Sequence, residues 1–493
     1  MNVATQFRAL VATLALAAVP AVAHAFPDCP ADHVTDGYTC DEQKAAGKTG
    51  GFFRVTFPSD WDGDLVIINH GFDLNDKHIR PHEQCSQGPL ACEQDSDCGS
   101  GNFCNNISYL GIDEVLLPMG KAVAASTYTD SGWATFHSAK DIKDIIKYVQ
   151  KSSGHGDQLK RVIITGFSGG GAVTADATLK LKIDGAVPLC AAAAGGLTTW
   201  DVAHEVRMVY DYVCEGVPNA NFIDPSDVGQ QNGENSDSDA IGLALKVDRC
   251  FGILGIAADD GHQAERLQKF LDLTQFTGDA SHGGSGVNVA SALGFAVLGL
   301  GDFVHDPKRL KEKRIGWNDD PALDYTTLGT NPTLAADYNT NVERLTAGKG
   351  RKQLKKAFFP DFTKGVGKKV AYPILSMAGA NDWLVIPEFN RVYDDALTLG
   401  NKAFTQTWIE TYGHCVFSEQ EVTAIFTKYF EWLGPDGGSR GPQPTATDVS
   451  NACLALPGGV QDDTCNFNLG FTPGAIYDRI PQREDWPTAA KAP

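Results

Sequence analysis

The stretch Arg161-Val162-Ile163-Ile164-Thr165-Gly166-Phe167-Ser168-Gly169-Gly170-Gly171-Ala172-Val173-Thr174 holds the strongest signal in the chain. Val162 to Ile164 is a short β-branched run and predicts a buried strand. It enters Gly166-x-Ser168-x-Gly170, after which Ala172, Val173, Ala175 and Ala177 open a helix. Strand, turn and helix in this order are the setting in which G-x-S-x-G presents a nucleophilic serine. A serine on so sharp a turn needs neighbours without Cβ atoms, and positive φ suits the serine itself. The following helix would aim its first N–H groups at the place where an oxyanion forms. Without chemistry, the same residues make a glycine-rich βα turn, so the rest of the chain has to decide.

A chain of 493 residues is long for one domain and suggests a core with a large insertion, or two domains. Hydrophobic content of 42% and charge of 21% suit a globular protein with a large core. A formal charge of −20 argues against nucleic acid or an anionic membrane as partner. Arg8, the apolar run Ala9 to Val19 and Ala23-His24-Ala25 predict a signal peptide over residues 1–25. The run is too short to span a membrane comfortably, so export without stable membrane insertion is expected. All 12 cysteines lie after that point, as an oxidising compartment would allow. Local spacing suggests Cys29 with Cys40, Cys214 with Cys250 and Cys453 with Cys465. Cys85, Cys92, Cys98 and Cys104 form a cluster whose pairing stays open; its spacings of seven, six and six disfavour zinc.

Strand candidates are Phe52 to Phe57, Leu65 to Ile68, Lys121 to Tyr128, Leu159 to Thr165, Gly185 to Ala191, Tyr372 to Gly379 and Phe404 to Glu410. Helical spacing marks Ala139 to Gln150, Glu388 to Leu399 and Ser418 to Leu433, the last with a Ser418 cap and Glu421 at N3. This alternation predicts an α/β fold with a mostly parallel sheet and a site at the carboxyl ends of the strands. The rhythm stops between Gly196 and Gly367, where Trp200 to Tyr212, Gln263 to Phe276 and Asn331 to Leu354 read as helical. Ser285 to Val304 is apolar, but its four glycines favour a lid or buried helix pair over a membrane span. The expected division is a signal peptide at 1–25, a first core part at 26–196 with a Cys-rich loop at 73–106, and an inserted cap at 197–369. A second core part at 370–434 and a disulfide-containing tail at 435–493, wrapped over the surface, complete it.

A serine needs a base to attack at neutral pH, and the base needs a third group to fix its tautomer. After Ser168 come Asp382 and His414, each just past a predicted strand. His70-Gly71-Phe72, Gly166-Phe167-Ser168-Gly169-Gly170, Gly379-Ala380-Asn381-Asp382 and Gly413-His414-Cys415-Val416-Phe417 together resemble the α/β-hydrolase superfamily. The resemblance covers roughly residues 50–200 and 370–434. It implies nucleophile Ser168, acid Asp382 and base His414. It also implies an oxyanion hole from the backbone N–H groups of Gly169 and Phe72, with Gly71 as the alternative to Phe72. Tyr128 is either an added donor, as in some peptidases of the superfamily, or a core or rim tyrosine. Tannase- and feruloyl-esterase-like members join a cysteine before the serine to one after the histidine. Here Phe167 precedes Ser168, and Cys415 is left to pair elsewhere, with Cys190 as the suggested partner.

The function implied is an exported serine hydrolase cleaving small-molecule or polymeric carboxylic esters through an acyl-enzyme. The alternative is a serine peptidase or amidase, which acidic residues binding a substrate amine would favour; Glu205 and Asp211 are the candidates, though exposed helix charges are the plainer expectation. A non-catalytic binding protein on the same scaffold is the third possibility. No phosphate or dinucleotide fingerprint is present, and no cofactor or catalytic metal is called for. Carboxylates between Cys92 and Cys98 would suit a structural calcium ion, but the glycine and terminal glutamate of an EF-hand loop are missing, so a solvated acidic loop is expected.

Overall fold

The computed structural model describes residues 38–44, 52–72, 84–85, 104–105, 110–126, 128–129, 133–220, 240–275, 289, 292–293, 296, 315–320, 323–346, 348–365, 367–435 and 439–491. The signal segment, Cys29, most of the Cys-rich loop with its acidic stretch, and the polar run Asn232 to Asp239 lie outside these residues. Within the loop only the antiparallel pair Gln84–Cys85 and Cys104–Asn105 is described.

Eight strands form one sheet: β1 (Thr39–Lys44), β2 (Phe52–Phe57), β3 (Asp64–Asn69), β4 (Ala122–Ser126), β5 (Arg161–Phe167), β6 (Gly185–Leu189), β7 (Ile374–Asn381) and β8 (Phe404–Tyr412). Their spatial order is β1-β2-β4-β3-β5-β6-β7-β8. From β4 to β8 every neighbour pair is parallel, while β1 and β2 add an antiparallel edge. This is the α/β-hydrolase fold that the sequence implies. Alternate residues of the central strands feed two cores. Leu65, Ile67, Val162 and Ile164 face one, and Val66, Ile68 and Ile163 face the other. Helices α1 (Ser138–Lys151), α2 (Gly169–Lys180) and α8 (Pro387–Leu399) pack on the first face. Helix α9 (Glu419–Leu433) packs on the second, with the predicted Ser418–Glu421 capping box formed.

Between β6 and β7 the chain forms helices α3 (Gly196–Val213), α4 (Ala240–Phe251), α5 (Gln263–Thr274), α6 (Pro332–Asn341) and α7 (Arg351–Ala357). The predicted run Asn331 to Leu354 is therefore two helices, separated where Val342 turns extended. The Cys214–Cys250 disulfide ties the end of α3 to α4. In the apolar stretch after Ser285, Val289, Ala292, Leu293 and Ala296 are helical and buried. Among the described residues no helix is long and apolar enough to cross a membrane.

The tail does more than wrap the surface. After α10 (Ala446–Ala455) and the Cys453–Cys465 bridge, Phe467 pairs antiparallel with Ile409 and covers part of the β8 edge. Ile476, Ile480, Trp486 and Ala490 then enter the first core. Arg483, fully buried, pairs with Glu205 of α3. Arg351 of α7 holds Asp201 of α3 at 2.6 Å and Asp485 of the tail at 2.6 Å. Scattered apolar residues and these ion pairs, with no apolar run, join the tail to the interior.

Asp176, enclosed on α2, has its carboxyl pushed up to about 7 by burial, against the pull of Lys180 at 2.7 Å. A carboxyl raised above its unfolded value favours the fold while protonated, and that contribution is lost as pH rises from about 4 to about 7. Asp176→Asn is therefore expected to raise Tm by a few degrees at pH 8 and to change it little at pH 4. Thermal unfolding of both chains across that range checks this; a loss at pH 8 at least as large as at pH 4 contradicts it.

Candidate active site

Ser168 follows β5 and caps α2 with φ +58 and ψ −120, a conformation that side-chain-bearing residues seldom hold. The crowding expected from the sequence is present. A methyl group on Gly166 would meet the Asn69 carbonyl oxygen at 2.5 Å, and one on Gly170 would meet it at 2.0 Å. The elbow thus nests against the chain leaving β3, the His70-Gly71-Phe72 segment.

The three residues expected to act together converge at the carboxyl ends of β5, β7 and β8. His414 Nε2 lies 2.7 Å from Ser168 Oγ, and His414 Nδ1 lies 2.8 Å from Asp382 Oδ2. Asp382 Oδ1 accepts from the N–H groups of Leu384 and Val385, both at 2.9 Å. The carboxylate is thereby fixed from behind, with its other oxygen at hydrogen-bond distance from His414 Nδ1. In the tautomer with its proton on Nδ1, Nε2 carries a lone pair and accepts from the serine hydroxyl. Asp382 is 2% exposed, so water does not compete for it.

Several anchors hold His414. The capping box starts α9 four residues later, and Ser418 Oγ donates to Thr464 O of the tail at 2.5 Å. The suggested Cys190–Cys415 disulfide is formed, joining the loop after β6 to the loop after β8. Asp382, His414 and Cys415 have the ligand types of a metal site, but the Cys415 sulfur is bonded to Cys190.

The expected oxyanion donors lie beside the serine. The Gly169 N–H opens α2 and has no acceptor within the helix. A methyl group on Gly169 would touch the Phe72 amide nitrogen at 2.7 Å, and one on Gly71 would stand 4.0 Å from Ser168 Oγ. The sequence leaves Tyr128 open between an added donor and a core or rim tyrosine, and it lies in the core. It is 1% exposed, its ring stacks on His70 at 4.2 Å, and its hydroxyl donates to the His70 carbonyl at 3.0 Å. Its proton is therefore spent on supporting the His70–Phe72 segment.

A cavity opens on Ser168 and Gly169. Phe72, Trp133 and Trp383 supply aromatic walls, α3 supplies Thr199, Val202, Ala203 and Val206, and Leu384 to Ile386 with Phe389 line the far side. Trp383 follows Asp382 directly and was in reach of sequence reasoning. The α3 contributors were not: every residue from Gly196 to Tyr210 is buried, so no apolar stripe singles out one face. Glu205 and Asp211 are neither exposed nor in the cavity wall. Glu205 bonds Tyr325 Oη at 2.6 Å and pairs with Arg483, and Asp211 pairs with Arg207 at 2.5 Å.

No family profile and no curated protein matches the chain. Among solved structures, an esterase from Aspergillus oryzae aligns over 77% of this chain and 73% of its own, at 13% identity and a TM-score of 0.39. Feruloyl esterase B from the same species aligns over 81% and 79%, at 12% identity and a TM-score of 0.41. Acylaminoacyl peptidase from Pyrococcus horikoshii aligns over 84% of this chain and 44% of its own, at 9% identity and a TM-score of 0.39.

Cys190→Ala with Cys415→Ala frees one tether of the His414 loop. The double variant is expected to lose about 2–5 kcal/mol of stability. It is also expected to slow fluorophosphonate labelling of Ser168 by about tenfold or more, through displacement of the imidazole. Denaturant unfolding and labelling time courses measure the two effects. Unchanged labelling would mean that the capping box and tail hold the loop unaided.

Proposed function

We propose that this chain is an exported serine hydrolase that cleaves carboxylic esters. The observation that carries the proposal is the continuous hydrogen-bonded line from Ser168 through His414 to Asp382, ending on two backbone N–H groups. As the serine oxygen attacks the ester carbonyl, Nε2 takes its proton, and the buried carboxylate stabilises the imidazolium. Charge developing on the carbonyl oxygen meets the N–H groups of Gly169 and Phe72. The imidazolium returns its proton to the departing alcohol. Water, activated by the same nitrogen, then releases the acid from the acyl-enzyme. The helices between β6 and β7 act as a cap that shapes the pocket.

Ester is preferred to amide because of the cavity wall. Among its described residues none is charged, so an amino group of a peptide substrate finds no carboxylate there. The acidic residues suggested for that task are already paired behind α3. Three disulfides among the described residues fit the export part of the proposal.

Hydrolysis of a short p-nitrophenyl ester beside a peptidyl anilide tests the assignment. The wild-type chain is expected to turn over the ester and to leave the anilide nearly untouched. Ser168→Ala and His414→Ala should each lower ester turnover by about 10⁴-fold or more, and Asp382→Asn by about 10⁴-fold through the wrong imidazole tautomer. Turnover surviving Ser168→Ala would remove the proposal, and anilide turnover of equal efficiency would replace ester with amide.

A further inference from the structure

One hydroxyl in the cavity wall is out of keeping with its surroundings. Val202, Ala203, Val206, Leu384, Ile386 and Phe389 are hydrocarbon, yet Thr199 stands among them. Thr199 is 3% exposed, and its Oγ1 has no hydrogen-bond partner among the described residues. A buried hydroxyl left unpaired carries a desolvation penalty that valine, of nearly the same shape, would avoid.

Helical threonines commonly relieve this by donating to the carbonyl four residues back. Other threonines of this chain do so: Thr174 on α2 donates to Gly170 O at 2.9 Å, and Thr274 on α5 donates to Phe270 O at 2.7 Å. Thr199 has the same opportunity, since the Gly195 carbonyl accepts its backbone N–H at 3.1 Å, but its hydroxyl does not take it. A residue of the cavity wall is thus left with a buried hydroxyl that has no partner among the described residues.

We propose that the substrate group seated in this pocket carries one hydrogen-bonding oxygen, an ether, carbonyl or hydroxyl set in an otherwise apolar chain, and that Thr199 binds it. The inference rests on the ester-hydrolase assignment of Ser168 and narrows its substrate class. The apolar walls bind the hydrocarbon, and the threonine fixes how far along the chain the oxygen sits. A pocket with one committed polar partner discriminates between isomers of equal hydrophobicity, which a purely apolar pocket does poorly.

Two ester series of matched length test this. In one, p-nitrophenyl hexanoate is compared with its isomers in which an ether oxygen replaces successive methylenes of the acyl chain. In the other, hexyl acetate is compared with the corresponding isomers of the alcohol. In one series a single isomer is expected to exceed the other ether isomers in kcat/KM by about tenfold, the scale of one hydrogen bond. The series in which this occurs assigns the pocket to the acyl or the alcohol side. Thr199→Val should erase that preference, and Thr199→Ser should keep it. Thr198→Val is the control: that hydroxyl is also buried and has no partner among the described residues, but Thr198 does not line the cavity, so the preference should survive. Equal rates for all ether isomers, or a preference that persists in Thr199→Val, would overturn the inference.

If wild type turns over no ester, the function assignment fails, and the pocket is still read by binding. Trp133 and Trp383 line it, so tryptophan fluorescence follows titration with the free ether alcohols. An isomer-specific affinity lost in Thr199→Val sustains the inference, and indistinguishable titrations for the two chains overturn it.

Discussion

The site depends on one backbone conformation, Ser168 at positive φ. Such a residue costs on the order of 1–3 kcal/mol and persists only where its surroundings over-determine it. Here both backbone polar groups of Ser168 are engaged. Its N–H donates to Leu189 O, and its carbonyl accepts from Ala172 N at the start of α2 and from Ala192 N in the loop after β6. The Asn69 side chain donates to Thr165 O and to Thr174 Oγ1, locking β3 to the strand and helix on either side of the turn. The turn is thus held by β3, β6 and α2 together, and loosening it would move all three.

The same kind of strain recurs along this edge of the sheet. Tyr128, Cys190 and Cys415 also have positive φ, and each lies just past the end of a strand, β4, β6 and β8. Each is held by a strong local tie. Tyr128 is bonded to His70 O, and the two cysteines are bonded to each other. At the opposite end of the strands the fixing is ionic: Arg161 grips Asp64 with two bonds of 2.6 Å and reaches Gly434 O past the end of α9. One end of the sheet is pinned, and the other carries the unusual backbone on which the site stands.

Much of this was legible because it is local or repetitive. Buried strands alternating with helices, the glycines around Ser168 and the order of Ser168, Asp382 and His414 all follow from short-range pattern. What escaped depends on partners far away. Strand β1 reads Thr-Cys-Asp-Glu-Gln-Lys, too polar to signal a strand, and forms by pairing with β2 at an edge. The tail lacks apolar runs, yet Arg483 is buried because Glu205, 278 residues earlier, receives it. Glu205 was misjudged as a surface charge for the same reason: its partner is invisible within any window around α3.

Helix α3 connects these observations. Thr199, Val202, Ala203 and Val206 fall at helical spacing on the face that lines the cavity. Asp201 and Glu205, four apart, fall on the other side, where Arg351 and Arg483 hold them. Asp201 feels desolvation that would raise its pKa, but the two guanidiniums outweigh it and keep the carboxyl below its ordinary value. Trp486 Nε1 adds a bond of 2.6 Å to the same carboxylate. Buried ion pairs of this kind contribute little net stability, but they penalise any arrangement in which a charge loses its partner. They therefore act on α3 as a register lock: a rotation that brought Glu205 toward the cavity would strand Arg483. The apolar character of the pocket is thus maintained from behind, by charges on α7 and on a tail none of whose described residues lines the cavity.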